Sequence, residues 1–140
     1  MTPGHVVFVC EHGAAKSVLA AIEFNWLAEA RGAAIRAMAR GAAPDPAIAP
    51  VVVERLASEG VHLREPPKAF ASSELRGAVC VVTFDQPQVA AKIPNEVPIE
   101  TWDGLPAVSD GFDAAREAIR SRVRELLDQL VHGEASGGTR

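Results

Sequence analysis

Cys10, Lys16 and Ser17 stand at intervals that can bring a thiol, an ammonium and a hydroxyl to one loop. The segment reads Val9-Cys10-Glu11-His12-Gly13-Ala14-Ala15-Lys16-Ser17, after the apolar run Val6 to Val9 and before a helical pattern. A strand–loop–helix junction of this kind aims its loop amides and the helix N-terminus at a common point, which favours an anion there. Gly13 admits a left-handed backbone, so successive N–H groups can converge into a nest, and Lys16 adds positive charge. The same dipoles favour the thiolate form of a cysteine at the base of the loop. A thiolate under an oxyanion cradle is a nucleophile aimed at phosphorus or arsenic. Ser17 can donate to that thiolate or to a loop carbonyl. A cysteine after a strand is, taken alone, most often a small core residue. Gly13, Lys16, Ser17 and the helix start shift the reading to a nucleophile.

A second phosphate-binding pattern competes for the same residues. The nucleotide-binding Gly-x-x-x-x-Gly-Lys-Ser loop has glycines where this chain has Cys10 and Ala15. Its backbone must approach the phosphates closely at those glycines, so the fit is poor, although Asp85 at a strand end imitates the acid such sites use for magnesium.

The elements that must position the loop follow from the apolar pattern. Val6–Val9 and Ala78–Phe84 read as strands buried on both faces, Ala34–Ala39 as a second strand and Val97–Glu100 as a short fourth. Helices are expected over Lys16–Arg31, with Leu19, Ile22, Trp26 and Leu27 inward, over Ala47–Ser58, over Ser72–Leu75 and over Asp113–Val131. Pro50 fits the second helix only within its first turn. The last helix carries an apolar stripe through Phe112, Ala115, Ile119, Val123, Leu127 and Leu130. Alternation of strand and helix predicts an α/β three-layer sandwich with a four-stranded parallel sheet, its ligand site at the carboxyl ends of the strands. One domain over residues 1–132 and a disordered tail over 133–140 are expected.

These residues resemble the Cys-x5-Arg-Ser signature of low-molecular-weight protein tyrosine phosphatases and of the thioredoxin-type arsenate reductases that share their fold. The resemblance extends to the Gly41–Gly60 segment with Pro44 and Pro46, to Val81-Val82-Thr83-Phe84-Asp85 and to Trp102–Leu127. It implies Cys10 as nucleophile, Lys16 as oxyanion ligand and Ser17 as thiolate partner, with Glu11, His12, Gly13, Ala14 and Ala15 forming the oxyanion-binding loop. Lys16 replaces the family's arginine and lacks its bidentate fork. Gly13 replaces the usual asparagine. The family's Asp-Pro pair, source of the general acid, appears as Leu105-Pro106; Asp103 is the nearest substitute and Asp110 a weaker one. The tandem tyrosines of the eukaryotic phosphatases are absent, since the chain has no tyrosine. Arsenate reductases also need further thiols, one of them near Phe84, and none is there. Cys80 lies inside its strand, about 13 Å short of the site at ~3.3 Å per residue, and reads as core.

The remaining residues and the composition narrow the choice. His12 either contacts substrate or is solvated, Glu11 points to solvent, and Asp85 caps a turn or serves the pocket. His5, His62 and His132 have no metal-ligand spacing, and Trp102 is either a pocket wall or core. A net charge of −4 without a basic stripe excludes sequence-independent nucleic-acid binding. The absence of a long apolar run or a cationic leader points to a soluble, cytoplasmic chain with no membrane partner. The expectation is a cysteine-dependent hydrolase of phosphomonoesters, phosphotyrosine among them, that needs no cofactor or metal. The alternatives are an arsenate reductase using an external thiol and a non-catalytic oxyanion or phospho-ligand binding protein. The implied partners are phosphate, arsenate or a phosphomonoester, together with a phosphoprotein or a thiol reductant.

Overall fold

The computed structural model describes residues 4–84, 93 and 96–138, with side chains through residue 131. Asp85 and the side chain of His132 lie outside the described residues. The chain runs β1 (His5–Cys10), α1 (Lys16–Ala30), β2 (Arg36–Gly41), α2 (Pro50–Ser58), α3 (Ser72–Arg76), β3 (Ala78–Thr83), β4 (Ile99–Thr101), a 3-10 turn (Val108–Asp110) and α4 (Phe112–Gly138). The strands form one sheet in the order β2-β1-β3-β4, and every pairing is parallel. The expected α/β architecture is thus the observed one.

Strand periodicity splits the core into two layers. Val6, Phe8 and Cys10 face a cluster with Leu19, Phe24, Ile119 and Leu127, whereas Val7 and Val9 face Leu75, Val81 and Val97. Val6 to Val9 are fully buried, so β1 reads as an unbroken apolar run. Phe8 anchors the first layer, its ring 6.1 Å from Phe24, 6.2 Å from Phe84 and 5.5 Å from Trp102. Among the described residues, no helix is long and apolar enough to cross a membrane.

Several boundaries differ from the sequence pattern for physical reasons. β2 begins at Arg36 rather than Ala34; it is an edge strand on which Arg36 is exposed, while Arg40 is largely covered and spans to Glu74, with Nη2 to Oε2 at 2.6 Å. α2 starts at Pro50, which occupies the first turn where a missing N–H costs nothing. The backbone of α4 stays helical through Gly138, past the expected end at Val131 and into the segment expected as a tail. The inward face of α1 matches the pattern only in part: Leu19 is buried and Ile22 and Leu27 pack against the core as expected, but the face is wider than the pattern suggests and leaves Trp26 out. Ser17, Val18, Leu19, Ala20, Ala21, Glu23, Phe24 and Ala28 are buried, while Trp26 is 39% exposed. α1 is apolar on nearly every side, so periodicity alone does not choose a face.

A buried ionic network selects that face. Glu23 is 5% exposed and accepts from Arg116 Nε at 3.1 Å and from Arg120 Nη2 at 2.6 Å. Arg116 turns its other two nitrogens to Glu59, each at 2.6 Å, and so ties α1, the end of α2 and α4 together. The Arg116 hydrogen bonds hold the Glu59 carboxyl below its ordinary value of 4.5, and the Arg40 hydrogen bonds do the same for Glu74. A second constraint lies at the ends of β1 and β2, where Cys10 pairs with Gly41. A Cβ on Gly13 would sit 2.9 Å from Gly41 N, and one on Gly41 would sit 2.8 Å from Gly13 N. Gly13 also has φ of 63°, which disfavours a side chain. An asparagine would therefore not fit at residue 13 without moving β2.

Arg116→Met should cost about 3 kcal/mol in urea unfolding, because it strands a buried carboxylate that Arg120 only partly satisfies. Depressed carboxyl values in the folded state stabilise it above 4.5, and that contribution is lost as pH falls through the folded values. The same variant should therefore show a shallower loss of stability than wild type between about pH 5 and pH 3. Gly41→Ala should cost ~1–3 kcal/mol by the same assay, since the new methyl meets backbone that cannot swing aside. A neutral outcome would show that the two loops yield freely.

Candidate active site

The loop between β1 and α1 is shaped by what its carbonyls bind. Ala42 N–H donates to Cys10 O at 3.0 Å, Ala43 N–H to Glu11 O at 2.6 Å, Asp45 N–H to His12 O at 3.0 Å and Ala49 N–H to Ala14 O at 3.0 Å. Across a trans peptide the N–H points opposite to the C=O, and no peptide among the described residues is cis. The amides of Glu11, His12, Gly13 and Ala15 are therefore turned away from the 42–49 segment. They curl around the loop with the help of the positive φ at Gly13. No side chain caps the α1 N-terminus at Ala15, and its first turn carries no acidic residue. Fixed partial positive charge thus accumulates on the inner side of the loop.

Cys10 lies at the base of this arrangement, 9% exposed. Its Sγ is 2.9 Å from Ser17 Oγ, and Ser17 is fully buried. A thiolate can only accept, so the serine hydroxyl donates whenever Cys10 is ionised. A cavity of 490 Å³ opens above the thiol, walled by Ala14, Ala15, Ala49, Phe84 and Ala107 among others. Lys16 lines it too, and its Nζ donates to Leu105 O at 3.2 Å, tying the loop after β4 to the start of α1.

The mouth of the cavity carries charge. Glu11, His12 and Asp45 all line it. His12 Nδ1 lies 3.1 Å from Asp45 Oδ1 and 3.4 Å from Ala43 O, and its Nε2 lies 3.7 Å from Glu11 Oε2. The His12 side chain is 53% exposed and that of Glu11 59%. Asp45 was not legible as a site residue, because nothing near it in the chain signals that β2 would carry its loop beside residue 12. Of the expected residues, Cys10, Lys16, Ser17 and the Glu11–Ala15 loop come together. Asp103 does not join them: it is exposed and does not line the cavity, and Asp110 is likewise exposed.

Other expectations resolve into structure. Trp102 is 1% exposed, packs on Phe8 and Phe84, and donates its Nε1–H to Glu100 at 3.0 Å, so it is core rather than cavity wall. His5 donates from Nε2 to Glu74 O at 2.6 Å, and His62 is exposed. Cys80 pairs in register with Val6, four strand positions before Cys10, or roughly 13 Å away at 3.3 Å per residue. Burial pushes its thiol up to about 12, so it is neither near enough nor ionised enough to relay electrons to Cys10. Among the described residues, no group of three or more His, Cys, Asp or Glu could hold a metal.

No protein-family model matches the chain, and no curated protein matches it significantly. Solved structures do. A thioredoxin-dependent arsenate reductase from Corynebacterium glutamicum superposes with a TM-score of 0.76 at 23% identity over 95% of this chain, which spans 64% of that protein's length. An arsenate reductase from Archaeoglobus fulgidus gives 0.70 at 26% identity, covering 88% of this chain and 98% of that one. A low-molecular-weight protein tyrosine phosphatase from T. tengcongensis gives 0.78 at 19%, covering 90% and 99% respectively. The chain has the α/β fold that low-molecular-weight protein tyrosine phosphatases share with thioredoxin-dependent arsenate reductases.

Proposed function

We propose that the protein hydrolyses phosphomonoesters through a phosphocysteine at Cys10. The observation that carries this reading is the thiol itself: Cys10 Sγ, 2.9 Å from the buried Ser17 hydroxyl, under a loop whose carbonyls are bound outward. The amides of Glu11, His12, Gly13 and Ala15 hold the equatorial oxygens of the phosphoryl group, and Lys16 adds a point charge. Cys10 Sγ bonds to phosphorus as the ester P–O bond breaks, and water then cleaves the S–P bond to release phosphate. The walls are mostly alanine, with Phe84 as an aromatic face, so they hold an aryl or an alkyl ester without a stacking clamp.

Arsenate reduction is the second reading, supported by the resemblance to two arsenate reductases. With Cys80 buried at the register of Val6, the electrons must come from an external thiol. That thiol attacks the sulfur of the Cys10–arsenic adduct, forming a mixed disulfide as arsenite leaves with two electrons. In the third reading the cradle binds an oxyanion and goes no further.

Turnover of p-nitrophenyl phosphate between pH 5 and 8 should be measurable in wild type and absent in Cys10→Ser. Arsenate-dependent consumption of added thiol without ester turnover would move the assignment to the second reading, and tight phosphate binding without either would move it to the third. Lys16→Met should lower kcat by ~10²–10³-fold, the usual cost of removing one preorganised donor from a developing oxyanion. Lys16→Arg should equal or exceed wild type, because its fork meets two oxygens at once. Equal activity in all three would remove the Lys16 charge from the catalytic step.

A further inference from the structure

We propose that His12, oriented by Asp45, donates the proton to the leaving group and then takes one from the attacking water. This rests on the phosphomonoesterase reading and supplies the group that reading lacks. In-line displacement puts the leaving oxygen opposite the attacking sulfur. Cys10 and the half-exposed His12 line the same cavity, so an ester whose phosphorus meets Cys10 Sγ directs its leaving oxygen away from the buried thiol, toward the exposed side where His12 lies. Unassisted departure of an alkoxide or phenoxide is slow, and a positioned acid typically contributes ~10²–10⁴-fold.

The ring is held in a way that suits the task. Nδ1 faces two acceptors, Asp45 Oδ1 at 3.1 Å and Ala43 O at 3.4 Å, which assigns a proton to that nitrogen. Nε2 is then the nitrogen that gains and loses the working proton. Glu11 Oε2, at 3.7 Å, lies beyond hydrogen-bond reach of Nε2 but close enough to support the imidazolium through space. The charged groups that face the ring are Glu11 from its own loop and Asp45 from the loop after β2, and Lys16 shares the cavity wall. A carboxylate–histidine pair placed this way fixes tautomer and orientation as in other acid–base sites.

The step balances. As the S–P bond forms and the ester P–O bond breaks, the electron pair on the leaving oxygen takes the proton from His12 Nε2. The neutral ring then accepts a proton from water as the water oxygen bonds to phosphorus. Phosphate leaves, Cys10 returns as thiolate, and His12 returns as imidazolium.

The test compares esters whose leaving groups differ in acidity. His12→Gln should lower kcat/KM with every ester, and least with p-nitrophenyl phosphate, whose leaving group needs least assistance. For phenyl phosphate and an alkyl phosphate the same variant should lose ~10²-fold or more. The plot of log kcat/KM against leaving-group pKa should steepen accordingly. Asp45→Asn, which leaves the ring in place, should move the slope in the same direction by less. Equal losses with every ester, or a leaving-group-dependent loss in Asp103→Asn and not in His12→Gln, would overturn the proposal while the phosphatase reading stands. Wild type that turns over no ester, p-nitrophenyl phosphate included, overturns both together.

Discussion

Four backbone hydrogen bonds from the Ala42–Ala49 segment to the carbonyls of Cys10, Glu11, His12 and Ala14 are the constraint on which the site depends. A five-residue loop free in water would point its amides and carbonyls in all directions. Bound outward through its carbonyls, it has a direction to spare, and planar trans peptides turn the paired N–H groups the other way. The approach is possible because Gly13 and Gly41 lie backbone against backbone at the end of the β1–β2 pairing. Any side chain at either position would push the two loops apart and loosen the cradle. Preorganisation of this sort matters more than the strength of any one bond, since dipoles already in place need not reorient as charge develops.

The rest of the fold keeps that junction still. β1 is buried on both faces, so its C-terminal end cannot slide against its neighbours without exposing Val7 and Val9 or Val6 and Phe8. α1, whose N-terminus completes the cradle, is fixed in rotation by Glu23 beneath Arg116 and Arg120. Such a buried pair adds little net stability over an apolar replacement, but breaking it is costly, so it acts as a register pin. Lys16 makes a different compromise. One ammonium both anchors the Leu105 carbonyl and faces the cavity, a double duty that a single point charge can perform without the planar fork of an arginine.

Much of this was legible in the sequence, and the rest was hidden for identifiable reasons. Strands β1 and β3 announce themselves because burial on both faces leaves unbroken apolar runs at Val6–Val9 and Val81–Val82. The loop was legible because Cys10, Gly13, Lys16 and Ser17 are close in the chain and their spacing has a mechanical meaning. The inner face of α1 was legible only in part, through Leu19, Ile22 and Leu27, because its apolar residues surround the helix, and the charge that breaks the tie pairs Glu23 with a residue 93 positions away. Trp26 was misplaced for the same reason and lies instead at the surface, with the Arg116 guanidinium 5.8 Å from its ring. Asp45 could not be found at all from local pattern, since only the parallel register of β1 and β2 brings it to His12.

The most direct measurement is mass spectrometry of the protein quenched in acid during turnover of an aryl phosphate. A phosphoryl group on the peptide carrying Cys10, chased away by further incubation and absent from Cys10→Ser, is the result this account predicts. Ester hydrolysis that proceeds while Cys10 stays unmodified, or with the phosphoryl group on another residue, would contradict it.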